Sequence, residues 1–249
     1  MYSILISIAV GVVVGVVWTL LGLWKTWAMG IILAIVVGLT VFVLLSRWLA
    51  KRFEPRFLQA QKQLQGGSHQ LAISTLEKLL PLARWQVMLE GQIYAQMGIL
   101  AHALEDEKRA LGYLEKAALR SPDAQMALAA IHFRRKDYER AYQVMDTAIR
   151  ASKKQIMPYH VYAWMLGKQG ERDKAIIELQ RCLKVEPSNE STKDNLLRLQ
   201  NDRKLNMKRF GLPWYALRLE RPPASMRQQA PGSSHRGLRG KHRREGRRR

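Results

Sequence analysis

The first fifty residues carry a single charge before Arg47. Ser3–Trp24 is a run of 22 uncharged residues, Thr26–Ser46 is another of 21, and only Lys25 separates them. At about 1.5 Å per helical residue, either run is long enough to cross a hydrocarbon core of roughly 30 Å. The pattern predicts two spans, about residues 3–22 and 29–47, joined by a tight turn through Leu23–Ala28. Trp24 and Trp27 would mark one interface, with Tyr2 and Trp48 at the other, because their rings have an apolar body and a polar tip. Arg47, Lys51, Arg52 and Arg56 follow the second span, against one Lys in the turn, so both termini are expected on the cytoplasmic side. A cleaved signal peptide fits poorly, since the start Met-Tyr-Ser-Ile lacks a basic residue and the apolar run is about twice too long.

Small residues recur every fourth position, at Ser7, Gly11 and Gly15 and again at Gly30, Ala34 and Gly38. In lipid, close backbone approach over such residues drives helix association. An antiparallel hairpin would set Gly11 against Gly38 and Gly15 against Ala34. Neither span holds an ionisable group, so the hairpin reads as an anchor rather than a pore.

Charge is segregated along the chain. Residues 1–52 hold four basic and no acidic side chains, residues 53–202 hold 22 and 18, and residues 203–249 hold 15 and two. One cysteine, Cys182, excludes a disulfide framework and a multi-thiolate metal site, and suits a reducing compartment.

From Phe53 onward apolar residues recur at helical spacing in short blocks punctuated by Gly66-Gly67, Pro81, Pro122, Pro158, Gly170 and Pro187. A small residue precedes a large apolar one by four at Ala72/Leu76, Ala110/Leu114, Ala141/Met145 and Ala175/Leu179, in steps of 38, 31 and 34 residues. Tyr94, Met97, Gly98 and Ala101 lead to Ala110, Leu114 and Pro122; Tyr159, Tyr162, Ala163 and Leu166 lead to Ala175, Leu179 and Pro187. Between them lie Leu128, Ala129, Ala141, Met145 and Ala148, with Gln125 and Lys153 departing from the pattern. An earlier unit keeps Ala60, Ala72 and Leu76. Over residues 53–189 this resembles the tetratricopeptide-repeat family.

The fold expected is therefore all-α: a two-helix transmembrane hairpin (1–50), a tetratricopeptide-like α-solenoid (53–208), and an apolar segment with a basic disordered tail (209–249). Gly98, Ala110, Ala129, Ala141, Ala163 and Ala175 are the expected repeat-packing positions, where small side chains let helices approach. The 38-residue step implies an extra connection or helix near Leu80–Arg84. After Pro187, Ser188 or Asn189 would cap a closing helix through about Lys208.

The resemblance implies a partner groove lined by Ala95, Ile99, Met126, Ala130, Phe133, His160 and Trp164. It lacks the Lys and Asn that clamp a C-terminal carboxylate in that family, and its apolar character suits an amphipathic or extended apolar segment of a protein partner. The competing occupant is the chain's own Phe210–Leu219. No phosphate-binding loop, dinucleotide fingerprint or serine-hydrolase elbow is present, and no histidine pair has metal-ligand spacing. No enzyme, cofactor, metal or small-molecule substrate is expected. The tail cations Arg236, Arg239, Lys241, Arg243, Arg244, Arg247, Arg248 and Arg249 suit anionic lipid, RNA or ribosomes, or a merely solubilising role. The combined expectation is an adaptor at a bacterial cytoplasmic membrane.

Overall fold

The computed structural model describes residues 2–20, 27–85 and 88–223. Among these, all regular structure is helical and no strand occurs. Trp24 and Lys25 of the predicted turn, and the basic residues from Arg236 to Arg249, lie outside the described residues. The chain divides into two compact units, Met1–Ala101 with Lys116–Ala118, and His102–Glu115 with Leu119–Arg249.

In the first unit, α1 (Tyr2–Leu20) packs along α2 (Trp27–Gln65). A Cβ added to Gly11 would lie 2.7 Å from the Ala34 carbonyl oxygen and 3.4 Å from the Gly38 Cα. One on Gly15 would lie 3.0 Å from the Ala34 Cβ, and one on Gly38 3.2 Å from the Ser7 carbonyl oxygen. Partners thus descend along α2 as α1 ascends, and the pair is antiparallel. At Gly11 a side chain would collide with backbone, and at Gly15 and Gly38 it would be tightly crowded. The outward faces are uncovered aliphatics, including Leu5, Val12, Val13, Ile35 and Leu39.

Only α2, from Met29, is long and apolar enough among the described helices to cross a membrane; the apolar part of α1, Tyr2–Trp18, is shorter. The second helix also differs from expectation in length. Instead of stopping near residue 47 and restarting at 53, α2 runs unbroken for 39 residues. Pro55 lies inside it, and its missing N–H leaves the Lys51 carbonyl without a helical donor. Residues 54–59 are exposed, so water can satisfy that carbonyl. Arg52 stacks over Trp48, 4.2 Å from the ring centroid, and Phe53 on Phe57 at 5.5 Å, which carries side-chain contact across the expected boundary. Gly67 (φ +73°) then ends α2: Ser68 N–H donates to Gln63 O and Gly67 N–H to Leu64 O. The following α3 (His69–Glu77) returns against α2, burying Ala60, Ala72, Ile73 and Leu76. A short α4 (Leu80–Ala83) occupies the stretch where the 38-residue step called for extra structure, and α5 (Leu89–Ala103) follows.

The second unit is a succession of helices: α6 (Glu107–Leu114), α7 (Pro122–Arg134), α8 (Tyr138–Ala151), α9 (Met157–Lys168), α10 (Arg172–Val185) and α11 (Glu190–Gln200). Each packs on the next, and α7 also touches α9. One local device recurs. Glu105, Lys136 and Gly170 all have positive φ, and the residue after each, Asp106, Asp137 or Glu171, stands at the start of the next helix. Asp106 accepts from the Arg109 N–H and Asp137 from the Arg140 N–H, as carboxylate caps do. These left-handed positions are 31 and 34 residues apart, repeating the last two alanine steps.

Ala110, Ala129, Ala141, Ala163 and Ala175 are fully buried, and Gly98 is buried in the first unit. Ala163 and Ala175 share one apolar cluster with Leu166, Leu179 and Leu199, while Cys182 packs with Ile149 and Tyr159. The closing helix α11 is shorter than expected, ending at Gln200 rather than Lys208. Asp202 takes φ +57°, the Arg203 N–H closes back on Arg198 O, and the chain turns away. Ala141→Trp or Ala175→Trp should overpack these crossings and cost about 1–3 kcal/mol, measured by denaturant titration of the detergent-solubilised chain. An unchanged midpoint would remove these positions from the helix crossings.

Candidate functional site

Met126, Ala130 and Phe133 lie at helical spacing on α7, and His160 and Trp164 one turn apart on α9. The helix-to-helix contact of α7 with α9 sets these residues on neighbouring elements, and the Phe133 and Trp164 rings meet at 5.8 Å. Ala95 and Ile99 belong to α5 in the first unit, where Ala95 is buried and Ile99 half-buried. In the second unit Met126, Ala130, His160 and Trp164 are all buried.

The chain's own C-terminal segment lies on this surface. After α11, residues 203–206 lead to a 3₁₀ turn, Met207–Phe210, and then to α12 (Leu212–Ala216). Gly211 joins them at φ +60°, ψ −139°, a conformation essentially reserved for glycine. Phe210 rests on the His160 ring at 4.8 Å, and Trp214, fully buried, meets Trp164 edge-on at 5.1 Å. Glu220 ties the two indoles together, accepting from Trp164 Nε1 at 3.1 Å and Trp214 Nε1 at 3.3 Å. Arg134 donates to the Leu217 carbonyl at 3.0 Å while pairing with Glu107 at 2.6 Å, and Arg218 donates to the Ala103 carbonyl and pairs with Glu105. The apolar segment Phe210–Leu219, left open in the sequence as a possible occupant of the groove, is therefore an ordered strap on this face. Its apolar anchors and buried hydrogen bonds outweigh the local excess of cations.

A polar chain beneath the strap fixes α9 to α11. The His160 Nε2–H donates to Thr192 Oγ1 at 3.0 Å, and the Thr192 hydroxyl donates to Asn189 Oδ1 at 2.8 Å, which also caps α11. Asn195 Nδ2 donates to His160 Nδ1 at 3.0 Å, and Asn195 Oδ1 accepts from the Asn206 N–H at 2.7 Å. With one ring nitrogen donating and the other accepting, the network suits neutral imidazole. Burial lowers the His160 pKa to about 4. His102, also buried, is lowered to about 4 by burial and then by the Arg134 and Arg218 guanidinium groups. His132 sits in the last turn of α7, its Nδ1 3.3 Å from Asp137 Oδ2. The Thr192 hydroxyl gives its proton to Asn189 rather than to His160. Among the described residues no group of three His, Cys, Asp or Glu side chains could hold a metal.

The open part of the surface is a cleft of about 380 Å³ beside the strap. Trp164 and Leu205 form apolar wall, and Lys168, Arg203 and Lys204 line it with Glu220. Arg172 also borders it, tied to Asp202 and the Gln200 carbonyl. Neither the polar network nor Glu220 was legible as a site in the sequence; Glu220 is one of only two acids after residue 202.

His160 and His102 bind a proton more weakly folded than unfolded, so their contribution is full above about pH 6.5 and is lost as pH falls towards 4. Each can account for a loss of about 3 kcal/mol. The denaturation midpoint should fall steadily through that window, and a profile flat from pH 7 to 4 would count against both assignments.

Residues 103–182 match the family described as Anaphase-promoting complex, cyclosome, subunit 3. No curated protein matches the chain. Similar solved structures include one described as "MamA RS-1 ArsTM double mutant", 20% identical, covering 68% of this chain and 93% of that one with a TM-score of 0.46. Another, "Crystal structure of MamA protein", is 17% identical, with 73% and 92% covered and a TM-score of 0.46. A third, "MamA 41-end from Desulfovibrio magneticus RS-1", is 19% identical, with 68% and 93% covered and the same TM-score of 0.46. With paired helices, small residues at the crossings and a recurring capped turn, the matched stretch of this chain is a tetratricopeptide-type repeat array.

Proposed function

We propose that the chain is a non-enzymatic scaffold, anchored in a cytoplasmic membrane, that presents its repeats to protein partners. The observation that carries this reading is the α1–α2 hairpin, whose small residues are spent on the helix contact while its aliphatic exterior is left bare. An apolar surface of that kind suits lipid rather than water. Both helices cross in this reading, the first by tilting little and the second with the stretch up to about residue 47. The cations from Arg47 onward hold the repeats on the cytoplasmic side of a bacterial inner membrane.

The strap sets the terms of partner binding. Phe210 and Trp214 occupy the α7–α9 face as an incoming apolar segment would, so a partner reaching Phe133, His160 and Trp164 must displace them. Weakening the strap should then expose the face. Trp214→Ala with Glu220→Gln is expected to raise crosslinking from a photoreactive residue at Phe133 to other proteins in cells. Unchanged crosslinking would show that partners do not use this face.

A second reading has its own observation, the 15 basic against two acidic side chains after residue 202. In it the cations from Arg236 to Arg249 tether RNA, ribosomes or anionic lipid, with an affinity that falls steeply as salt rises. Truncation after Arg221 separates the two. Retained partners favour the scaffold, and loss of every partner favours the tail. For the anchor, alkaline carbonate washing should leave the intact chain in the vesicle pellet, and its release would end the membrane reading.

A further inference from the structure

At the Arg47 end of the first fifty residues, the first unit forms an open recess that the scaffold reading does not use. It has a volume of about 1070 Å³. Leu44, Leu45 and Leu49 supply its apolar side, Trp48 and Trp85 its aromatic walls, and Arg47 and Lys51 its cations. Trp85 is held in place by the start of α1. Its carbonyl accepts from the Ser3 N–H at 3.2 Å and the Ser3 hydroxyl at 2.6 Å, and its ring lies 5.7 Å from Tyr2. A side chain 83 residues along the chain from Tyr2 is thus fixed beside the end of the apolar hairpin.

The charges in this recess are unspent. Arg47 and Lys51 make no ion pair or side-chain hydrogen bond among the described residues, whereas Arg52 is stacked on Trp48. Glu54 also lines the recess and works against an anion there, leaving two cations to one acid. Arg47 is the first charge after the Thr26–Ser46 run. Cations one helical turn apart, with leucines below them and indoles beside them, match the division of an anionic phospholipid into phosphate, glycerol backbone and acyl chain. A soluble phosphate would gain nothing from Leu44, Leu45 and Leu49.

We infer that this recess binds the headgroup and upper acyl chain of an anionic glycerophospholipid, its phosphate between Arg47 and Lys51 and its chain along Leu44, Leu45 and Leu49. The inference rests on reading residues 29–47 as a membrane span. Its occupant is a bilayer lipid at a defined position, distinct from any attraction of the C-terminal cations to a charged surface.

The test uses the full chain in phosphatidylcholine nanodiscs doped with photoactivatable phosphatidylglycerol or photoactivatable phosphatidylcholine, with labelled peptides mapped by mass spectrometry. Phosphatidylglycerol should label residues 44–54 and the neighbourhood of Trp85 in preference to phosphatidylcholine. Unlabelled phosphatidylglycerol should compete, and inorganic phosphate should not. R47Q/K51Q should lower this labelling by roughly tenfold or more, since each cation near a charged lipid surface is worth about fivefold. E54Q, which removes the opposing charge from an exposed position, should raise it. Equal labelling by the two lipids, competition by inorganic phosphate, or indifference to R47Q/K51Q and E54Q would overturn the site. If the chain enters nanodiscs and resists carbonate but shows no lipid preference, the recess inference alone fails. A chain that carbonate releases overturns both the anchor and the recess.

Discussion

Close approach of helices over small side chains is the constraint on which this structure depends. A pair of amphipathic helices can bury only what its crossing distance allows, and in both units that distance is set by residues with almost no side chain. In the hairpin the contact is glycine against backbone, at Gly11, Ala34 and Gly38. In the repeats it is alanine, at Ala129, Ala141, Ala163 and Ala175, with leucine, methionine and tyrosine filling the seam around them. The physics differs on the far side of each helix. Hairpin helices show aliphatics outward, whereas repeat helices show charge outward and hand their remaining apolar face to the next pair.

A stack built in this way has an end, and that end must be covered. α11 covers part of it, with Leu199 in the cluster of Ala163 and Ala175. The strap covers the α7–α9 face with aromatic rings, buries Trp214 and uses Glu220 to satisfy two indole N–H groups that would otherwise lose water without compensation. Beneath it, the His160–Thr192–Asn189 and Asn195–Asn206 bonds make a polar core with little tolerance for a missing partner. The strap thus lies along α7 and α9 and reaches back to the Ala103–Glu105 turn.

Near residue 50 a different compromise operates. The helix that begins in the apolar run does not pause where the chain becomes charged, and it continues past Pro55 to Gln65. Over roughly 58 Å of helix at about 1.5 Å per residue, one continuous helix joins the apolar stretch to the contacts with α3. Trp48 with Arg52 and Phe53 with Phe57 stack along it, across the boundary expected between the apolar run and the repeats.

Helix class, the small-residue register of the hairpin, the extra element near Leu80 and the positions of the repeat crossings were all legible in the order of residues. Each depends on spacing along a single helix or on the length of a helix–turn–helix unit, and both are local quantities. The continuity of α2 was not legible, because the cost of Pro55 depends on whether the Lys51 carbonyl can reach water. Nor was the end of α11 at Gln200, which follows from a left-handed Asp202 and from Asn195 drawing the Asn206 backbone inward. The fate of Phe210–Leu219 was open for the same reason. As a sequence it is an apolar patch in basic surroundings, able to plug a groove or to leave it. Trp164 with Glu220 and Arg134 with Leu217 meet across 56 and 83 residues of chain. Periodicity specifies which face of a helix is apolar, but only the folded chain decides what that face meets, because burial is a property of distant partners brought together.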